Sequence, residues 1–185
     1  IVNVTPDSFS DGGRHADEAS AIAHCDTLMR EGAHMLDIGG ESTRPGARTP
    51  SAEEELQRVL PVLRHAVTLG VPVSVDTSQP LVMRAALDLG VDIVNDVRAL
   101  QRPGALDALA GHATAGVCLM HMQGEPGTMQ AAPSYDDVVS EVRDFLAGRL
   151  AALRERGVDA RRIVLDPGIG FGKDVGHNLA LLRRQ

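Results

Sequence analysis

Three aspartates, each in a short apolar run, are the residues in this sequence best placed to do chemistry: Asp37 in Met35 to Gly40, Asp76 in Val71 to Thr77, and Asp166 at the end of Arg162 to Asp166. A buried carboxylate without a partner is costly, so each must be paired, metal-bound or ligand-bound. Amides and a ring stand at comparable places, with Asn3 in the first apolar run, Asn95 beside Asp96 in Ile93 to Val97, and His121 in Gly116 to Met122. A carboxylate next to an amide can both accept from and donate to the edge of a planar nitrogen heterocycle. That combination predicts a flat, nitrogen-rich ligand. Ser42, Thr43 and Arg44 follow the second run and supply hydroxyls and a guanidinium suited to a phosphate.

Other groups suggest chemistry less strongly. His121 is expected to be a satisfied core histidine rather than a general base, and Met120 beside it to line an apolar wall. The run Asp166-Pro-Gly-Ile-Gly-Phe-Gly-Lys173 looks like a phosphate loop, but the spacing of Gly168 and Gly172 is wrong and Asp174 follows the lysine. Its glycines instead allow a close backbone approach to a ligand, and Lys173 is expected to be a solvated charge as readily as a ligand group. No Cys, His and carboxylate set has zinc spacing, although Mg²⁺ would need only one or two protein oxygens. Asn3 lies in an apolar strand, where its amide is expected to be buried and to need partners.

Six apolar runs alternate with six helical patterns, so the elements that must position these groups form a β/α series. Ala19, Ile22, Cys25 and Met29 mark the first helix, which Gly32 stops. Ser51 with Glu54 forms a capping box opening the second, which Pro61 is expected to kink or split. Pro80 opens the third, with Leu81, Ala85 and Leu89 as its buried face. Gly104 to Ala110 is a short fourth, Ser134 is expected to cap a long fifth that Gly157 ends, and a sixth begins near Val175. A doubly wound sheet is the competing architecture, but there only strands near the switch point reach a ligand. In a barrel every strand end converges on one centre, as the polar residues here require. The expected fold class is therefore α/β, a TIM (β/α)8 barrel truncated to about six βα units, with residues 1–185 as one domain incomplete at its C-terminus and trimmed at its start. Ile1 is not an initiator methionine, so the sequence is expected to begin inside a longer product.

A net charge of −7 and a pI near 5.4 argue against a nucleic-acid partner, which would need clustered Lys and Arg. One Tyr, three Phe and no Trp leave little surface for base stacking. No apolar run approaches the roughly 20 residues of a membrane span. Cys25 and Cys118 read as buried thiols rather than a disulfide framework, and a cytoplasmic location is the expectation.

The motifs Asn3-Val-Thr-Pro-Asp-Ser-Phe-Ser-Asp-Gly-Gly13, Gly39-Gly-Glu-Ser-Thr-Arg-Pro-Gly46, Ser74-Val-Asp-Thr77, Asn95-Asp-Val97, Leu119-Met-His-Met-Gln-Gly124 and Asp166 to Lys173 together resemble the dihydropteroate synthase family, the sulfonamide-target enzymes of bacterial folate synthesis. The resemblance covers the whole chain. It implies condensation of 6-hydroxymethyl-7,8-dihydropterin diphosphate with p-aminobenzoate, releasing pyrophosphate by a dissociative substitution. It also implies pterin contacts from Asp76, Asn95, Met120 and Asp166, and diphosphate contacts from Asn3, Thr43 and Arg44. Asn3 would further be a ligand of Mg²⁺. Phe9, Pro45 and Phe171 would close over p-aminobenzoate, and Arg44, Asp11 and Thr43 would be catalytic. A homodimer with small-molecule partners is implied too. The family's Ser-Arg-Lys-Ser and Arg-x-His motifs of the seventh and eighth strands are absent here. Two other readings remain open: another pterin-binding barrel such as a methyltetrahydrofolate methyltransferase, which would lack the Thr43-Arg44-Pro45 loop, and a non-catalytic pterin- or phosphate-binding module.

Overall fold

Six short strands pair side by side in the order in which the chain makes them: β1 (Val2–Asn3), β2 (Leu36–Gly39), β3 (Val73–Asp76), β4 (Ile93–Asp96), β5 (Gly116–Met120) and β6 (Ile163–Asp166). The computed structural model describes residues 1–5, 14–42 and 48–184. All five pairings are parallel. Parallel neighbours need crossovers, supplied by α1 (Arg14–Arg30), α2 (Ala52–Ala66), α3 (Pro80–Asp88), α4 (Ala105–Ala110) and α5 (Val138–Glu155), while α6 (Val175–Arg183) follows β6. Right-handed crossovers in a sheet whose order never reverses put every helix on the same face. There is no switch point, so the doubly wound alternative falls. The architecture is of the TIM-barrel type, with β1 and β6 at the two edges of the sheet that the described residues form.

The core lies between sheet and helices. Leu36, Ile38, Val73, Val75, Val94, Val117 and Leu119 point outward from the strands and pack on Val59, Leu63, Val82, Met83, Leu109 and Leu153 of the helices. Strand side chains alternate, so the intervening residues line the concave face. The register aligns them in rows. Asn3, Gly39, Asp76, Asn95, Cys118 and Val164 form one continuous row across all six strands. Asp37, Ser74, Ile93 and Gly116 form the row beneath, and Met120 with Asp166 the row above.

Several local expectations need correction. Pro61 does not split α2, which continues through it from Ala52 to Ala66. A proline there lacks its bond to the carbonyl one turn back, and Gln57 lies on the exposed side, where water can serve that carbonyl instead. The buried face of α3 is Val82, Met83, Ala86 and Leu87, and Leu81 is 42% exposed. The wider stripe of four apolar residues sets the phase over the chosen every-fourth series. Asp137, not Ser134, caps α5 by accepting from the Val139 N–H, whereas Ser134 is tied through its backbone to Gln123. The capping box of Ser51 and Glu54 and the stop at Gly32, with φ +90°, are as expected. Among the described residues no helix is long and apolar enough to cross a membrane, and both cysteines are free.

Candidate functional site

The concave rows bring several of the expected residues together at the C-terminal ends of the strands, where barrels of this type carry their chemistry. Asp76 and Asn95 are register partners, as are Met120 and Asp166 one row up. Asp76 and Asn95 are half-buried, and the Met120 side chain is buried. Burial, followed by the charge of Asp37, pushes the Asp76 carboxyl up to about 8. Asp76 is therefore mostly protonated at neutral pH and ready to ionise towards a ligand that offers N–H groups or positive charge. Asp37 sits beneath it, where one oxygen accepts from the Asn95 amide at 3.5 Å and the other has no partner among the described residues. Burial and the aspartates Asp166, Asp37 and Asp76 push the Cys118 thiol up to about 11, so it stays neutral on this wall.

Asp166 is set by its own loop. One of its oxygens accepts from the Gly168 N–H at 2.7 Å, and its carbonyl accepts from His121 N–H at 2.9 Å, which joins the exits of β5 and β6. Of the two readings open for Lys173, burial rules out the solvated charge, since the residue is 3% exposed. Its ammonium donates to the carbonyls of Phe171 at 2.8 Å, Gly168 at 3.0 Å and His121 at 3.2 Å, and it meets His121 Nδ1 at 3.0 Å. An ammonium has no lone pair, so Nδ1 is the acceptor and the ring proton lies on Nε2. Burial, then the Lys173 charge, pulls His121 down to about 4. Neutral and edge-on to Phe145 at 4.9 Å, His121 is the satisfied core histidine expected. Burial draws Lys173 itself down to about 8, against the pull of Asp166.

Asn3 departs from expectation, since it is exposed. It occupies an edge strand, so among the described residues no strand pairs along its outer flank. Phe171 is half-buried in the loop after β6. The expected site residues Phe9, Asp11, Thr43, Arg44 and Pro45 lie outside the described residues.

A set of buried charges that local patterns did not single out stands behind these groups. Arg98, just past β4, makes a two-pronged pair with Glu41 past β2, with both contacts at 2.9 Å. It also donates to Ser78 past β3 at 3.0 Å and to Glu125 past β5 at 3.0 Å. One guanidinium thus ties four successive loops together. Burial works against its charged form, but the carboxylates of Glu41 and Glu125 outweigh that and raise its hold on the proton. Asp96 faces outward and accepts from the Ser78 hydroxyl and from the N–H groups of Arg98 at 2.8 Å and Leu100 at 2.7 Å. Ala99 and Leu100 adopt φ +50° and +57°, unusual for residues with a Cβ. Arg149 of α5 holds that turn by donating to both of their carbonyls, at 2.7 and 2.9 Å.

Glu55 is fully buried on α2 and accepts from the Thr77 hydroxyl, while its second oxygen has no partner among the described residues. Burial pushes it up to about 7. A carboxyl raised in the fold binds its proton more tightly there than in the unfolded chain, so its contribution to stability is lost as pH rises through about 7. Glu55→Gln is expected to leave the urea midpoint unchanged near pH 5 and to raise it at pH 8.5. A lower midpoint for the variant at pH 8.5 would refute this account.

Comparisons with known proteins agree on one group. The model of a family described as pterin binding enzyme matches residues 1–184. The Escherichia coli K12 dihydropteroate synthase is 51% identical over 185 residues, covering all of this chain and 65% of that protein. The solved Xanthomonas albilineans dihydropteroate synthase with 4-aminobenzoic acid has a TM-score of 0.90 at 54% identity, over 99% of this chain and 65% of that one. The Burkholderia cenocepacia dihydropteroate synthase complexed with 7,8-dihydropteroate has a TM-score of 0.85 at 49% identity, over 98% and 62%. The chain thus spans about 65% of the length of the curated relative.

Proposed function

The chain belongs to the pterin-binding enzyme family, and from that premise we propose that it carries most of the active site of a dihydropteroate synthase. The reaction joins p-aminobenzoate to 6-hydroxymethyl-7,8-dihydropterin diphosphate and releases pyrophosphate. The observation that carries the proposal is the concave face on which Asp76, Asn95, Met120 and Asp166 fall in adjoining rows. Two carboxylates and an amide match the donors and acceptors of a pterin edge, and Met120 gives its ring an apolar wall. Two similar structures support the substrate class, since one contains 4-aminobenzoic acid and another 7,8-dihydropteroate.

Pyrophosphate leaves first in the proposed mechanism, and the pterin ring takes up positive charge. Asp76 and Asp166 stabilise that charge in a site of low dielectric. Because Asp76 holds its proton to about 8, ligand N–H groups and growing positive charge draw it into the ionised form as the reaction proceeds. The p-aminobenzoate nitrogen then attacks. Thr43 and Arg44 hold the diphosphate, Asp11 acts from the first loop, and Phe9, Pro45 and Phe171 cover p-aminobenzoate and exclude the water that would otherwise capture the cation.

Mg²⁺ is part of the proposal, with Asn3 as its protein oxygen ligand. Among the described residues no group of three or more His, Cys, Asp or Glu could hold a metal ion. The fit is to a hard cation that takes its other ligands from phosphate oxygens and water. When bound, the ion would neutralise charge on the departing pyrophosphate. A cytoplasmic homodimer acting on small soluble substrates completes the reading, supported by the two free thiols and by the exposed Val175, Leu179 and Leu182 of α6.

The test is turnover by a chimera in which the segment of the E. coli relative beyond the matched region follows Gln185. Formation of 7,8-dihydropteroate should require both p-aminobenzoate and the dihydropterin diphosphate. In that chimera Arg44→Ala should cut turnover about 100-fold while dihydropterin binding survives, because a charge-stabilising donor is lost and the pterin pocket is not. Wild-type turnover in the variant would remove Arg44 from the mechanism. Pterin binding without product would favour a binding module, and methyl transfer the methyltransferase reading.

A further inference from the structure

The loop after β6 lies against the loop after β5 more closely than a side chain would allow. A Cβ added to Gly168, at φ +68°, would collide with the His121 carbonyl oxygen, and a Cβ on Gly172 would stand 2.5 Å from the Gln123 carbonyl oxygen. Tyr135 adds a bond from its hydroxyl to the Gly172 carbonyl at 2.7 Å. At the centre is Lys173, whose ammonium lies within hydrogen-bond distance of three carbonyls and one imidazole drawn from both loops. Carbonyls gathered around a buried cation would face one another uncompensated without it. The bracketed segment carries Asp166 at one end and Phe171 near the other, and its inner flank is the strand that carries Met120.

We propose that Lys173 is a positioning residue for the pterin pocket, clamping the Pro167 to Gly172 loop onto the end of β5 so that Asp166 holds one orientation. The inference rests on the pterin reading of Asp166 for its functional half. Its structural half stands on the contacts alone. Lys173 acts through Asp166, so removing it should matter only while Asp166 is present.

Two measurements on the full 185-residue chain decide it. Chymotrypsin should cut after Phe171 at least tenfold faster in Lys173→Met than in the wild type, with cutting after Phe145 in α5 unchanged as the internal control. Calorimetric binding of 6-hydroxymethyl-7,8-dihydropterin should weaken about tenfold in Lys173→Met, and the same substitution should cost nothing further in an Asp166→Ala background. If the Met variant does not fold, Lys173→Gln, which keeps N–H donors, carries the same pair of measurements with smaller changes expected in the same direction. Equal cutting after Phe171 overturns the clamp. Faster cutting with unchanged affinity, or with losses that add to those of Asp166→Ala, overturns the positioning role. A wild-type chain that does not bind dihydropterin counts against the function proposed above, and the cleavage rates then decide the clamp by themselves.

Discussion

Arg98→Met is expected to lower the free energy of unfolding by about 3–5 kcal/mol, the range for removing one partner of a buried ion pair. Arg98 is 7% exposed and Glu41 8%, and the guanidinium grips both carboxylate oxygens of Glu41. Methionine fills similar space but leaves Glu41 buried without a cation. Glu41 must then either stay ionised at high cost or take up a proton, and a carboxyl raised in this way loses stability as pH climbs. The gap between wild type and variant should therefore widen from pH 5 to pH 8 in urea denaturation. Adding Glu41→Leu should recover part of the loss, because removing both charges costs less than stranding one. The recovery is partial, since Ser78 and the exposed Glu125 also lose a donor. A double variant less stable than Arg98→Met would show that the pair is not the source of the effect.

Gly168→Ala is the second large loss, expected at about 4 kcal/mol or more and expressed as failure to fold at ambient temperature. Left-handed backbone costs a residue with a Cβ about 1–2 kcal/mol. The remainder comes from overlap with the His121 carbonyl, which cannot retreat because the His121 N–H is bonded to Asp166 and its carbonyl to Lys173. Gly170→Ala supplies the control. Its φ is +86°, but an added methyl meets nothing within 4 Å, so only the conformational cost of about 1–2 kcal/mol should appear. Similar midpoints for the two variants would rule out the overlap.

The fold and the concave site were legible because their signals are local. A short apolar run ending in Asp, Asn or His gives both a strand and the end of the sheet where chemistry collects, and Asp76, Asn95 and Asp166 emerge from that pattern, whereas Met120 joins them as a pterin contact only through the family resemblance. What escaped is long-range. Arg98 and Glu41 are separated by 57 positions, and each alone looks like an ordinary loop charge. Lys173 reaches back 52 positions to His121. Glu55 occupies a helix position that a search for apolar spacing passes over, although it is completely buried and accepts from the Thr77 hydroxyl. The third helix shows the same limit at short range, because two apolar stripes compete on one surface and the sheet selects between them.

The alternation along the strands has one more effect. Each strand stores two messages at interleaved positions, one read by the helices and one by whatever enters the concave face. Ser74, Asn95 and Cys118 can drift without touching a helix, whereas Val75, Val94 and Val117 answer to packing alone. Preference among ligands and persistence of the fold are thus free to evolve on separate schedules, and a selection for new ligands should leave its marks on the first set and spare the second.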